Sequence, residues 1–176
     1  EWARAEGLPL MVHAAESPEE VAFLARGEGP LREVYGRFAK TPWTPPGTTP
    51  VRHLHALGVL GPTTLLVHGV QVDEEEVGLL AETGTKVVLC PRSNANLEVG
   101  EAPLALYAKH GVELALGTDS RGSSPDLDVK NEARFLWGRA EPRLLVRALT
   151  RGGYRALGLP TPRLTRGTPL SLVHFL

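Results

Sequence analysis

The chain has 176 residues, a formal net charge of −1, 42% apolar and 22% charged residues, the balance of an ordinary globular protein large enough for one domain with its own core. Near-neutral charge leaves no basic footprint for nucleic acid, and no apolar run approaches the roughly 18 residues of a membrane span. Cys90, the single cysteine, excludes an internal disulfide and, with no signal peptide opening the chain, points to the cytoplasm.

Taken in order, Glu1 to Glu6 reads as the end of a helix closed by Gly7 in the left-handed conformation. Leu8-Pro9-Leu10-Met11-Val12-His13-Ala14-Ala15-Glu16 follows. Its unbroken apolar run predicts a strand over Pro9–His13 buried on both faces. The C-terminal end of that strand delivers an imidazole and then a carboxylate. Such a His-x-x-Glu pair is common by itself; its weight comes from recurrence downstream. Ser17-Pro18-Glu19-Glu20 supplies an N-cap, a first-turn proline and a glutamate at the third position, predicting a helix to Arg26. From Gly27 to Thr49 regular signal is poor, and Tyr35, Phe38 and Trp43 suggest an ordered lid over a linker.

A second helix is predicted over Val51 to Leu57, then a strand Thr64-Leu65-Leu66-Val67-His68, again ending in histidine. Asp73 and Glu76 form a capping box for a helix that Gly84 ends. Lys86-Val87-Val88-Leu89-Cys90 predicts the third strand, running into a polar loop, Pro91-Arg92-Ser93-Asn94. A helix from Ala102 to His110 precedes the fourth strand, Glu113-Leu114-Ala115-Leu116, which opens onto Gly117-Thr118-Asp119-Ser120. Helices over Leu127 to Trp137 and Arg143 to Leu157 lead to a Pro/Thr/Gly-rich tail.

Four strands alternating with helices mean βα units and a parallel sheet. Parallel strands place all their C-terminal ends on one face, so His13 and Glu16, His68, Ser93 and Asn94, and Asp119 meet at one rim. Imidazole and carboxylate together suit one divalent metal: zinc first, iron or manganese open. A catalytic metal lowers the pKa of a bound water, and Glu16 beside His13 suits proton transfer. Hydrolytic attack on an sp² carbon is the expected reaction class.

Other reactive side chains have plainer readings. Cys90 ends its strand as a small buried apolar group. His53 and His55 lie two apart in a helix, facing different ways, as surface or packing residues. His110 and His174 read as a helix-end cation and a tail residue, and Glu74 to Glu76 as an acidic helix start. Arg92 is either a surface charge or the partner of a substrate carboxylate.

His13-Ala14-Ala15-Glu16, Val67-His68, Cys90-Pro91-Arg92-Ser93-Asn94 and Leu116-Gly117-Thr118-Asp119-Ser120 resemble, in this order, strands five to eight of the amidohydrolase superfamily. The nearest branch holds aminopurine and cytosine deaminases and chlorohydrolases. The resemblance runs from Leu8 to about Leu157. It implies an α/β fold in which residues 1–158 form the C-terminal half of a (β/α)8 TIM-type barrel. Residues 159–176 would be a short C-terminal tail or part of a small β subdomain.

By the same resemblance His13 and Asp119 are metal ligands, and Asp119 also relays a proton from the attacking water. Glu16 protonates the ring nitrogen beside the attacked carbon. His68 is a ligand or orients the hydroxide. Ser93, Asn94 and Ser123 line or brace the pocket, with Arg92 and Trp43 as further substrate contacts. The long loop and the Thr49-Pro50-Val51-Arg52 helix resemble the members that deaminate aminodeoxyfutalosine in menaquinone biosynthesis. An amidohydrolase of other specificity and a non-catalytic half-barrel that binds or assembles both stay open.

The family's first strand carries a His-x-His pair that this sequence lacks ahead of its own strands. The expected partner is therefore an N-terminal barrel half, in the same or a separate chain, that supplies this pair. A small-molecule substrate is expected, nucleic acid and membrane are not, and a homodimer is open. The chain begins without Met and holds four βα units, against eight and about 250 residues in a closed barrel. Four strands alone would expose two apolar edges, so Pro9–His13 or Glu113–Leu116 is expected to pair with another polypeptide segment.

Overall fold

The four apolar runs become four short strands: β1 (Leu10–Ala14), β2 (Thr64–His68), β3 (Lys86–Leu89) and β4 (Leu114–Leu116). The computed structural model describes residues 2–39, 41–161 and 166. The strands pair in chain order, β1-β2-β3-β4, all parallel. Among the described residues the strand order does not reverse, so they form no switch-point crevice of the doubly wound kind, and the four strand exits share one C-terminal rim. Register sets His13 opposite Val67, Ala14 opposite His68 and Leu89 opposite Leu116. The polar residues just past each strand therefore come out level.

Helices form where local chemistry requires them. After α1 (Trp2–Ala5), α2 (Pro18–Arg26) starts with Ser17 accepting from the Glu20 N–H at 3.3 Å and ends at Gly27, φ 69°. Next come α3 (Pro30–Phe38), α4 (Pro50–Ala56) and α5 (Glu74–Thr83). The expected capping box is present in α5: the Glu76 N–H donates to Asp73, and the Asp73 N–H to Glu76, both at 2.9 Å. Then follow α6 (Pro91–Asn96), α7 (Leu104–His110), α8 (Val129–Phe135) and α9 (Pro142–Arg147). A π-helical turn (Ala148–Gly152) joins α9 to α10 (Gly153–Ala156). Leu66, Val87 and Leu114 of the sheet pack with Val77, Leu80, Tyr107 and Leu145 of the helices to form the core. Among the described residues no helix is long and apolar enough to cross a membrane.

Four expectations need correction. β1 is not buried on both faces: it is an edge strand, β2 is its only strand neighbour among the described residues, and Leu10 is 39% and Met11 55% exposed. β4, the other edge, is buried, covered by the π-helical turn and α10. The stretch from Gly27 to Thr49 contains a helix, α3, because Pro30 occupies its first turn and Gly29, at φ 85°, turns the chain into it. Pro91 to Asn94 is helical too, again with proline in the first turn. The expected tail or β subdomain over 159–176, with His174, lies outside the described residues except for 159–161 and 166.

Candidate functional site

Three strand exits share an unusual backbone. Ala15, His68 and Asp119 have φ of 54°, 75° and 60°, left-handed values that cost a non-glycine residue on the order of 1–3 kcal/mol and persist where neighbours enforce them. The neighbours are visible. The N–H of Gly69 donates to Ala14 O at 3.2 Å, and those of Val70 and Gln71 to Ala15 O at 2.8 Å, tying the exits of β1 and β2 together. Buried Tyr107 of α7 donates its hydroxyl to Gly69 O at 2.5 Å. A side chain at position 69 would collide with that hydroxyl.

These turns bring His13, His68 and Asp119 into one cluster, each offering a ligand atom within 4.8 Å of the others. The two imidazole rings lie 5.2 Å apart, centroid to centroid. His68 is buried, Asp119 half-buried and His13 exposed. Nδ1 of His68 contacts Asn94 Oδ1 at 2.8 Å. A carbonyl oxygen only accepts, so in this contact Nδ1 is the donor, which leaves Nε2 as the nitrogen that a metal would take in the neutral ring. Glu16 Oε1 sits 3.5 Å from that Nε2. Asp119 Oδ2 accepts from the hydroxyls of Ser93 and Ser123, both at 2.6 Å. Burial opposes ionisation of Asp119, but hydrogen bonds from Ser123 and Ser93 outweigh it and hold the carboxyl below its usual range.

Two carboxylates that local sequence does not flag stand behind this cluster. Glu20, which reads simply as the third residue of a helix start, turns its side chain back to accept the Glu16 N–H at 2.8 Å. Burial, set against bonds from the Glu16 and Ala15 N–H groups, pushes its carboxyl above the usual range. Glu132 of α8 accepts the Arg92 N–H at 3.0 Å from 40 residues away, a separation at which no local pattern could have found it.

The other predicted residues are placed as follows. The Arg92 guanidinium donates to both Asp126 oxygens, at 2.9 and 2.8 Å, and faces Glu132 at 3.6 Å. Trp43 stacks on Phe23 at 4.2 Å and lies 5.5 Å from Tyr35, in an aromatic cluster with α2 and α3. His53 and His55 lie on α4, outside the donor cluster. Cys90 is buried, and burial pushes its thiol up to about 12, so it offers no thiolate near neutral pH.

Comparison with known proteins agrees with this geometry. Residues 1–175 match the amidohydrolase family. The chain is 43% identical to aminodeoxyfutalosine deaminase of Deinococcus radiodurans, over 95% of this chain and 43% of that protein. It is 34% identical to 5-methylthioadenosine/S-adenosylhomocysteine deaminase of Halobacterium salinarum, over 98% of this chain and 39% of that one. A solved adenosine deaminase of Xanthomonas campestris with bound zinc superposes with a TM-score of 0.70 at 30% identity, over 89% of this chain and 34% of that chain. Atrazine chlorohydrolase of Arthrobacter aurescens in complex with zinc shares the fold, with a TM-score of 0.71 at 23% identity over 90% and 34%. The chain thus spans between 34% and 43% of the length of these relatives.

Proposed function

The chain belongs to the amidohydrolase family, and from that premise we propose that it carries metal ligands and proton-transfer groups of a hydrolytic deaminase acting on an aminopurine-type ring. The observation that carries this reading is the convergence of His13, His68 and Asp119 within 4.8 Å. Two imidazoles and a carboxylate, one imidazole already held in the metal-binding tautomer by Asn94, fit a divalent cation. His13, His68 and Asp119 would hold it, zinc first, with iron or manganese as alternatives. When bound, the cation supplies Lewis-acid activation of water.

The residues of this chain do the rest. Asp119, kept ionised by two serine hydroxyls, takes a proton from the attacking water. Glu16 gives a proton to the ring nitrogen beside the attacked carbon; the proton held by Asp119 then passes to the amino group, which leaves as ammonia, and as the carbonyl forms the hydroxyl proton returns to Glu16. Identity to aminodeoxyfutalosine deaminase supports an aminodeoxyfutalosine-like nucleoside as substrate, and with it a cytoplasmic enzyme of menaquinone biosynthesis. Identity to a 5-methylthioadenosine/S-adenosylhomocysteine deaminase supports a second reading, a thioether nucleoside. The exposed Leu10 and Met11 on the unpaired edge of β1 support a partner there: an N-terminal barrel half, in the same or a separate chain, that brings a His-x-His pair.

The test is ammonia release by the complete protein, with and without added zinc. The panel is adenosine, 5-methylthioadenosine, S-adenosylhomocysteine and aminodeoxyfutalosine. Fastest release from the last is the expected result; release from none of them, with zinc and the N-terminal half present, overturns the deaminase reading.

A further inference from the structure

We infer that Glu132 is a positioning residue for the metal centre, acting through α6 as the hydrogen-bond anchor of the helix that holds both His68 and Asp119. The inference rests on the metal reading above for its functional consequence, but its structural core stands on contacts within this chain.

Glu132 is 0% exposed, a costly place for a carboxylate. One of its oxygens accepts the Arg92 N–H at 3.0 Å. The other is buried without a hydrogen-bond partner among the described residues, 3.6 Å from the Arg92 guanidinium. A buried carboxylate is tolerated where it is hydrogen-bonded, and the bond from the Arg92 N–H supplies that here. That bond matters because the first N–H groups of a helix have no partner within it. Cys90, at the N-cap of α6, supplies no side-chain acceptor. Glu132 fills that role from another helix. Asp126, from the segment leading into α8, grips the Arg92 guanidinium through both oxygens, so the start of α6 is clamped by backbone and by side chain.

The next two residues of α6 are the ones that touch the metal ligands. Ser93 donates to Asp119 at 2.6 Å, and Asn94 meets His68 Nδ1 at 2.8 Å. Hydrogen bonds of this length weaken steeply with displacement. A shift of α6 on the order of 1 Å would loosen both supports together, freeing the Asp119 carboxylate and the His68 ring. No other short element among the described residues carries contacts to two of the three candidate ligands.

The experiment compares the complete protein with Glu132→Gln, Glu132→Leu and, as a control for general destabilisation, Leu80→Ala in α5. Leu80 is buried and makes no contact named at the site. Zinc affinity is read by competition with a chromophoric chelator, and amide exchange of residues 92–96 is read in the metal-free protein. Glu132→Leu should weaken zinc binding by about tenfold or more, the scale seen when support of a metal ligand is lost, and should speed exchange across 92–96. Glu132→Gln keeps an acceptor for the Arg92 N–H and should stay within about threefold of the parent. Leu80→Ala should lower the melting temperature while leaving zinc affinity in place. If Glu132→Leu does not fold, Glu132→Asp, one methylene shorter, carries the same comparison. Parent-like affinity and exchange in the disruptive variant, or an equal loss in Leu80→Ala, overturns the inference. If the parent binds no zinc, the metal reading fails instead, and exchange of 92–96 still decides the role of Glu132.

Discussion

Asn94 and His68, 26 residues apart, face each other through a bond of 2.8 Å between Oδ1 and Nδ1, with both side chains buried. The contact crosses from α6 to the exit of β2 and selects one tautomer of His68. Nε2 is thereby turned to the side where Glu16 lies, and the ring is held at a left-handed backbone position, φ 75°.

Removing that support should be felt at the metal. Asn94→Leu leaves the Nδ1–H without an acceptor and frees the ring, and zinc affinity should fall by about 10- to 100-fold. Asn94→Asp keeps the acceptor and should lose much less. Competition titration against a chelator of known affinity checks both.

Glu16 and Asp119 should separate binding from turnover. Glu16→Gln removes the proposed proton carrier but no proposed ligand, so zinc content should be retained while deamination by the complete protein falls by about a hundredfold or more. Asp119→Asn should lose metal and activity together, because it removes a charged ligand as well as the proton acceptor. Metal analysis alongside steady-state ammonia release reads both variants. Near-parental turnover in Glu16→Gln would show that Glu16 is not the acid.

The close approach of the π-helical turn to β4 predicts a sharp contrast between adjacent glycines. A Cβ at Gly152 would collide with the carbonyl oxygen of Leu114, whereas one at Gly153 meets nothing within 4 Å. Gly152→Ala should therefore destabilise the fold by about 1–3 kcal/mol. Gly153→Ala, at ordinary helical φ, should be neutral or stabilising by up to about 1 kcal/mol. Denaturant unfolding measures the difference.

Glu113, at the entry of β4, gives a pH test. Burial opposes its ionisation, but hydrogen bonds from Arg147 and Arg155, at 2.9 and 2.8 Å, outweigh burial and hold the carboxyl below its usual range. A depressed folded-state pKa contributes stability that is present above the unfolded value and is lost as pH falls through the folded one. Glu113→Gln should cost about 1 kcal/mol at neutral pH. That gap should close as the pH drops below about 4, where the unfolded-state glutamate is already becoming protonated. Paired thermal melts across this range check the sign.

Much of the architecture was readable locally. Ser17-Pro18 and the Asp73 and Glu76 pair set their helix starts within four residues. The runs ending in His13, His68, Cys90 and Leu116 each show as a strand without knowledge of any other. Once four parallel strands are accepted, their exits must share a rim, so the meeting of His13, His68 and Asp119 follows from chain order. Helix α3 was not read from the sequence: Leu31, Val34, Tyr35 and Phe38 recur at helical spacing, but the flanking glycines and prolines masked it.

What only the tertiary structure decided are the contacts whose two ends lie far apart in the chain. These are Glu132 under α6, the grip of Asp126 on Arg92, Ser93 on Asp119 and Gly152 against Leu114. Each depends on how helices settle against the sheet to within a fraction of an ångström. Hydrophobic periodicity sets which face of an element turns inward, but not which polar atom of a distant element will stand within bonding range of it.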